Sequence, residues 1–322
     1  MKRIGILFGM EDTFQWALIE RINSMGLADV RAEAVSIGHV AMGEPSGYAV
    51  ILDRIAHDVP YYRTFLKNEV LCGAQVINDP FWSQSDDKFF QCGLATRLGV
   101  AVPRSVLLPH REHPPDTTSR SFRNLRFPLD WEGIFSYVGW PAFLKQHWGG
   151  GWKHVHRLGS PDEFFRVYSQ TGSHLMMLQE GIEFDAYYRC YCVGREQVLV
   201  MPYEPRNEHA LRYHAQHPPL TPQLEARMVR DTLTLNRALG YDLNTTEWAV
   251  RDGIPIAIDF MNWAPDCDRF SVGEANFEWV VEHVSRLLAD RAQNPPPSDP
   301  LMNWQRVLRG VEGAAQAPAL PG

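Results

Sequence analysis

Between Phe143 and Val155 the chain reads FLKQHWGGGWKHV, an apolar strand that delivers Lys145 and then runs into three consecutive glycines, Gly149, Gly150 and Gly151. Glycine lets a backbone curl until several N–H groups point into one concavity, and Lys145 and Lys153 add full positive charge beside those partial charges. Such a concavity suits phosphate, and a nucleotide triphosphate is the polyanion that fits it. The same glycines would also serve a tight connection between two hairpin strands, an alternative this stretch alone leaves open. Neither Gly-x-Gly-x-x-Gly nor a P-loop ending in Gly-Lys-Ser/Thr is present, so the common fingerprints do not carry the assignment.

A second group of candidate residues lies downstream. Glu247 to Val250 and Ile254 to Asp259 flank Arg251-Asp252-Gly253, a hairpin turn signal. Folding about Asp252-Gly253 brings Glu247 within about one rung of Asp259, on the period-2 face expected to lie opposite Ile254, Ile256 and Ile258. Adjacent carboxylates repel, and a divalent cation is the usual reason for tolerating them. Asn262 adds a neutral oxygen of the kind magnesium accepts when nucleotide phosphates complete its shell. Taken singly, each of these residues could equally be a solvent-facing polar group at a strand end.

The elements that must position these groups follow from periodicity. The spacing predicts a strand over Arg3 to Phe8, a helix over Thr13 to Met25, and strands near Arg31 to Val35, Tyr48 to Leu52 and Gln75 to Ile77, an α/β unit of about 80 to 100 residues. In such sheets ligands gather at the carboxyl ends of strands, here Phe8 to Glu11 and Asp53 to Asp58. A helix from about Asp86 to Leu98 ends at Gly99, and Val100 to Leu108 reads as a strand. Residues His110 to Asp130 are rich in Pro, Arg, Ser and Thr without an apolar period, an exposed excursion. Then come the Lys145 strand, a helix over Pro161 to Tyr168, a strand over Leu175 to Gln179, and Tyr187 to Val193, which puts Tyr187, Arg189, Tyr191 and Val193 on one face. Thr221-Pro222 starts a helix that stops at Gly240. From Asn294 onward the Pro- and Ala-rich sequence predicts a flexible tail with a short helix near Trp304 to Leu308.

Composition narrows the function class. The 322 residues are 45% hydrophobic and 21% charged, a globular composition, and the net charge of −7 argues against general affinity for nucleic acid or an anionic membrane. Any anion site must therefore be local. Glu11 and Asp12 interrupt the first apolar run before a signal-peptide core or membrane span could form, which predicts a cytoplasmic protein. Five cysteines without paired Cys-x-x-Cys groups read as buried thiols, Cys190 and Cys192 included.

The order of these features resembles the ATP-grasp superfamily, in particular the branch of glutathione synthetase and the RimK-like ribosomal-protein-S6 glutamate ligase, over roughly Val76 to Leu288. The resemblance implies an α/β fold with a small N-terminal pre-ATP-grasp domain at 1–99. A two-subdomain grasp follows, divided into 100–181 and 182–293, with the tail at 294–322. In SQSDDKFF it places Lys88 against ATP phosphate, in FLKQ it makes Lys145 the second phosphate lysine, and in GGGWKHV it identifies Gly149, Gly150, Gly151, Trp152 and Lys153 as the loop that closes over the triphosphate. MLQEGIEFD resembles the hinge, where Gln179, Glu180, Gly181 and Ile182 would border adenine and Glu183 or Asp185 would reach the ribose. YYRCYCVG assigns Arg189 to the γ-phosphate and the acyl phosphate formed from it. NTTEWAV and IDFMNWAPD give Glu247, Asp259 and Asn262 as ligands for magnesium, with manganese as an alternative ion.

The family commonly spaces its last two ligands acid-x-Asn, whereas this chain has two residues between Asp259 and Asn262. On a regular strand that turns Asn262 to the other face, so either the strand ends or bulges there, or Asn262 is not a ligand. The segment MPYEPRNEHALRYH lies where the family handles substrate, and Arg206, Asn207, His209, Arg212 and His214 could bind an anionic substrate or simply form a solvated loop. Arg54, His57 and Arg63 are further anion-binding candidates. The implied activity is an ATP-dependent carboxylate–amine ligase acting through an acyl phosphate on small-molecule or peptide substrates, with no nucleic acid or membrane partner and with homo-oligomerisation left open. Two rivals are a kinase built on the same fold and a non-catalytic nucleotide-binding module using an aromatic patch of Tyr61, Tyr62 and Tyr187.

Overall fold

A computed structural model describes residues 1–81, 87–147, 149, 154–214, 219–262 and 264–296. The first unit is β1 (Lys2–Leu7), α1 (Phe14–Ser24), β2 (Val30–Ala34), β3 (Tyr48–Asp53), α2 (Pro60–Leu71) and β4 (Gln75–Ile77), within a residue or two of the expected elements. Its strands run parallel in the order β2-β1-β3-β4. Phe14, Leu18 and Ile22, spaced one helical turn apart, turn one side of α1 into that core.

The middle of the chain supplies α3 (Lys88–Arg97), β5 (Ser105–Leu108), α4 (Trp131–Val138), β6 (Ala142–Gln146), β7 (His156–Leu158), α5 (Pro161–Tyr168) and β8 (Met176–Glu180). The sheet is antiparallel, ordered β5-β8-β6-β7, and the short β7 was not expected from the sequence. The Asp87 carboxylate accepts from the amides of Phe89 and Phe90 and the Ser160 hydroxyl from that of Glu163, so both helices begin at a side-chain cap. Before β5 the backbone at Ala101 leaves this sheet, its carbonyl accepting instead from Ala257 at 2.8 Å.

The remainder is β9 (Ala186–Val193), β10 (Gln197–Pro202), α6 (Pro222–Leu239), β11 (Leu243–Arg251), β12 (Ile254–Asp259), α7 (Arg269–Val272) and α8 (Glu274–Gln293), the strands forming a third sheet ordered β10-β9-β11-β12. All eight residues of β9 are buried. Cys190 faces Met228 and Leu235 of α6, while Tyr191 and Val193 share a core with Val280, Val281 and Val284 of α8. That core also contains Ile4, Ile6 and Leu18, so α8 welds the third sheet to the first. Its periodicity at Phe277, Val280, Val281, Val284 and Leu288 was present in the sequence and went unread. Thr221 Oγ1 accepts from Leu224 N, and Gly240 closes α6 at φ 76°, as the capping signals required. The possible tail helix near Trp304 to Leu308 lies outside the described residues.

The hairpin corrects one expectation. Asp252 and Gly253 form the turn with φ of 53° and 71°, and Trp248 pairs with Ala257 and Ala249 with Ile256. Continued regularly, this register would set Glu247 opposite Ile258 and leave Asp259 on the other face. A bulge between Trp248 and Glu247 shifts it by one residue, so Glu247 faces Asp259 directly. Glu247 therefore shares the face of Ala249 and Ile256, not the face opposite the isoleucines, and the bulge turns Asp259 to join it.

The strand end is fixed by Asn244, a buried residue of β11. Its Nδ2 donates to Asn236 Oδ1 and to the Phe260 carbonyl, each at 2.9 Å, and its Oδ1 accepts from Asn262 N at 2.6 Å. Replacing Asn244 by Ala strands two buried partners and a half-buried one, and a loss of about 2–4 kcal/mol is expected, read from urea unfolding against the unaltered chain.

Candidate functional site

Glu247 stands in the middle of β11, opposite Arg189 on one side and Asp259 on the other. Its Oε2 accepts from the Tyr187 hydroxyl at 2.7 Å, and its Oε1 lies 3.7 Å from Arg189 Nε. Burial pushes the Glu247 carboxyl up, Arg189 opposes this, and Asp259 reinforces it, leaving the group above its ordinary value. Burial also works against charge on Asp259, but Lys88 and then Lys145 outweigh it and hold that carboxyl below the usual range. Lys88 Nζ lies 3.2 Å from Asp259 Oδ2.

Both lysines are placed by backbone. Lys88 opens α3, and its amide donates to the His147 carbonyl at 2.8 Å, so the helix start is tied to the chain just beyond β6. Lys145 pairs with Met177, and its neighbour Phe143 with Gln179, which puts Lys145 and Gln179 on one face of the second sheet. Burial first, and then Lys88, bring the Lys145 ammonium down to about 8. Gly149 has φ 90° with open space where a Cβ would stand, whereas Gly150, Gly151, Trp152 and Lys153 lie outside the described residues.

Arg189 is buried, and its Nη1 donates to the Tyr213 hydroxyl at 2.7 Å. Its guanidinium carbon stands 5.3 Å from the Tyr203 ring centre, and among the described residues its Nε has no hydrogen-bond acceptor. The alternation of β9 predicted the shared face of Tyr187 and Arg189. No local signal pointed to Tyr203 and Tyr213, because they reach Arg189 only when the following loop folds back. In that loop Arg212 Nη1 lies 3.4 Å from the Tyr203 hydroxyl and its Nε donates to the Asn207 carbonyl. Arg206 is exposed, paired with Glu204 at 2.6 Å and lying 4.5 Å over Phe184. His209 stands 3.7 Å from Asp266, and the His214 side chain lies outside the described residues. Tyr187 packs with Tyr203 and Ala249, whereas Tyr62 packs against the α2 core, so the aromatic patch foreseen from Tyr61, Tyr62 and Tyr187 is two separate clusters.

At the end of β8, Gln179 Nε2 donates to Ser105 Oγ at 3.0 Å on the Lys145 face. Glu180 turns to the opposite face, where Arg104 at 3.0 Å and Arg251 at 3.1 Å both pair with it. Burial pushes its carboxyl up, yet the two arginines more than offset this and leave it lowered. One acid thus joins the second sheet to the hairpin, beside a cavity of about 210 Å³ lined by Trp140, Pro141, Gly181 and Glu183 among others. Gly181 N donates to the Pro141 carbonyl at 2.7 Å, and a Cβ there would stand 2.6 Å from that oxygen. Ile182 is half-buried and packs with the Tyr187 cluster, while Glu183 and Asp185 are exposed, Asp185 Oδ2 accepting from Asp252 N at 3.3 Å.

Arg54 is held in a different setting from an open anion site. It is 5% exposed, paired with Glu11 through two hydrogen bonds and donating to the Pro265 carbonyl, while its Nη1 finds no acceptor. Arg63 donates to the carbonyls of Ala56 and His57, and His57 lies 3.6 Å from Asp58. These contacts fill the crevice at the ends of β1 and β3 with the chain's own groups.

The donor set fits a hard divalent ion. Among the described residues no group of three or more His, Cys, Asp and Glu side chains could hold a metal unaided. A two-carboxylate pair suits magnesium, which takes the rest of its shell from water and phosphate. Asn262 lies past the end of β12, so strand alternation no longer dictates its direction.

No protein-family model and no curated protein matches the sequence. Solved structures do match the fold. A RimK domain ATP-grasp protein from Sphaerobacter thermophilus DSM 20745 aligns with TM-score 0.63 at 14% identity, covering 91% of this chain and all of that one. D-alanine–D-alanine ligase from Bacillus anthracis complexed with ATP aligns at 0.58 and 14% identity, over 98% of this chain and all of its own. The macrocyclase MdnC bound with precursor peptide MdnA, from Microcystis aeruginosa MRC, aligns at 0.59 and 13% identity, over 90% and 100%. The three sheets in this order are the fold that these ATP-grasp structures share.

Proposed function

We propose that the chain is an ATP-dependent ligase that joins a carboxylate to an amine or related nucleophile and releases ADP and phosphate. The observation that carries this is the meeting of Arg189, Glu247 and Asp259 on one rung of the third sheet, with Lys88 reaching Asp259 from the start of α3 and Lys145 facing the pair from the second sheet. In this proposal residues 100–181 and 182–293 are the two jaws, and residues 1–99 border the substrate side. The similar structures support the nucleotide and metal: one contains ATP, and the ATP-grasp ligase PsnB is complexed with minimal precursor, Mg and ADP.

Each side chain then has work to do. Lys88, Lys145 and the glycine loop hold the phosphates, and the backbone of Gln179 to Ile182 borders the base. Glu247 and Asp259, with Asn262, would hold magnesium, which would supply positive charge against the phosphates. Tyr187 keeps one Glu247 oxygen oriented. With the anions gathered, a substrate carboxylate oxygen attacks the γ-phosphorus, the bond to the β-phosphate oxygen breaks, and ADP departs. Arg189 lies where it can balance charge on the transferred phosphoryl group. The nucleophile adds to the acyl carbon, phosphate leaves, and an amide results. An amine that arrives deprotonated needs positioning and no dedicated base.

Turnover by mass spectrometry with ATP, magnesium and pooled carboxylates and amines tests this. ADP accompanied by a condensed, dehydrated product is expected, and Lys145→Ala should lower turnover by about 10²–10³ with the fold intact. ADP with a phosphorylated product would replace the ligase by a kinase, and unchanged turnover in Lys145→Ala would remove the lysine from the site.

The lowered Lys145 ammonium adds a pH signature. Its charged form binds phosphate and is lost as pH rises through about 8. ATP affinity should therefore fall above that pH, and binding near it should take up a proton, measurable by calorimetry in buffers of different ionisation enthalpy. In Lys145→Arg the uptake should vanish.

A further inference from the structure

The excursion from His110 to Phe127 has no part in the reaction proposed above, yet it is built and placed. The Phe122 ring stacks on His113 with centres 5.2 Å apart and planes 5° apart, and Thr118 and Ser121 cap each other reciprocally. Its base is pinned where the Glu112 amide donates to the Gly172 carbonyl at 2.9 Å and His110 Nδ1 meets the Ser173 carbonyl at 2.8 Å. The next residue, His174, contacts Gln146 at 2.6 Å and lies 4.5 Å ring to ring from His154. Gln146 and His154 flank the glycine loop, so the excursion stands beside the mouth of the phosphate site.

Its charge is exceptional in this chain. Arg111, Arg120, Arg123 and Arg126 are all exposed, and among the described residues none of their guanidinium groups makes an ion pair or hydrogen bond. Only Glu112 and Asp116 oppose them within the segment, while the whole chain carries −7. Leu125 and Phe127, interleaved with Arg126, are 41% and 70% exposed. Unpaired arginines spaced three apart and alternating with bare apolar side chains suit a ligand that offers carboxylates and apolar groups in turn.

We propose that residues 110–127 are a docking arm for an acidic peptide. A nucleic acid would meet too few cations here, because its phosphates recur about every 1.7 Å of duplex and the rest of this surface is acidic. A peptide carrying Asp or Glu between apolar residues satisfies both halves of the surface. Docking stands apart from the ligase assignment; that the docked chain supplies the carboxylate to be activated rests on it.

Fluorescence anisotropy with a fluorescein-labelled peptide of repeated Glu-Leu-Gly units tests the arm on the full chain without nucleotide. The peptide should bind, weaken with salt, and lose about tenfold in affinity both in the triple variant Arg120→Gln/Arg123→Gln/Arg126→Gln and when Gln replaces its Glu. ATP affinity should be the same in the triple variant as in the unaltered chain. Lys145→Ala should lose ATP affinity and keep the peptide, which separates failure of the arm from failure of the nucleotide site. Absence of binding, equal binding by the triple variant, or tighter binding of an RNA oligonucleotide of equal charge would overturn the proposal.

Discussion

Two carboxylates opposed on one rung of a sheet repel, and most of what surrounds Glu247 and Asp259 answers that repulsion. At about 4 Å, two unit charges interact by about 4 kcal/mol at the effective dielectric common near protein surfaces, enough to force a proton onto one of them. Lys88 at 3.2 Å from Asp259 works against a term of that size, and Arg189 and Tyr187 do the same for Glu247. The raised Glu247 and lowered Asp259 record the uneven division of this help. Helix α3 must start where it does for Lys88 to reach across, and the hydrogen bond that the Lys88 amide donates to the His147 carbonyl ties that start to the chain just beyond the Lys145 strand. Lys88 thereby touches the chain beyond β6 through its backbone and the third sheet through its charge.

The bulge at Glu247 is the geometric half of the same constraint. A regular hairpin from the Asp252-Gly253 turn would have separated the two acids onto opposite faces, one in the cleft and one toward α6. Inserting one residue costs ladder hydrogen bonds at the end of β12, and Asn244 recovers part of that cost by bonding the backbone at Phe260 and Asn262. The irregular backbone past Asp259 is thus held by a buried side chain, which makes the added spacing before Asn262 compatible with a defined site.

What was legible in the sequence was local. Thr221-Pro222 and Gly240 bound α6 because caps are decided by adjacent residues, and the alternation of β9 put Tyr187 beside Arg189 because a strand has period 2. The face of Glu247 is set by the turn register, which puts it with the isoleucines and not opposite them, while the bulge that turns Asp259 to the same face leaves no mark in composition. Tyr213 reaches Arg189 only because the loop after β10 folds back, and Lys88 meets Asp259, 171 residues away, only because the start of α3 lies at the end of β12, and no spacing rule encodes either approach. The hinge acid Glu180 was found as part of a motif, but its two arginines, one from each side of the cleft, were not.

An acidic chain that handled polyanions, as proposed here, would have to concentrate cations where they are used. Lys88, Lys145 and Arg189 outnumber the carboxylates they face, so the cleft is locally positive inside a protein of net charge −7. Arginines elsewhere are mostly spent on the chain's own acids: Arg54 on Glu11, Arg104 and Arg251 on Glu180, Arg206 on Glu204. The excursion at 110–127 breaks that pattern, since its arginines are exposed and their guanidinium groups have no acid among the described residues. Repulsion from the rest of the surface would bar anions in general, while a cationic arm anchored beside the glycine loop would admit them at one place. On the proposed reading the distribution of paired and unpaired arginine is a selection device: the fold closes its internal seams with neutralised charge and leaves unneutralised charge on the excursion.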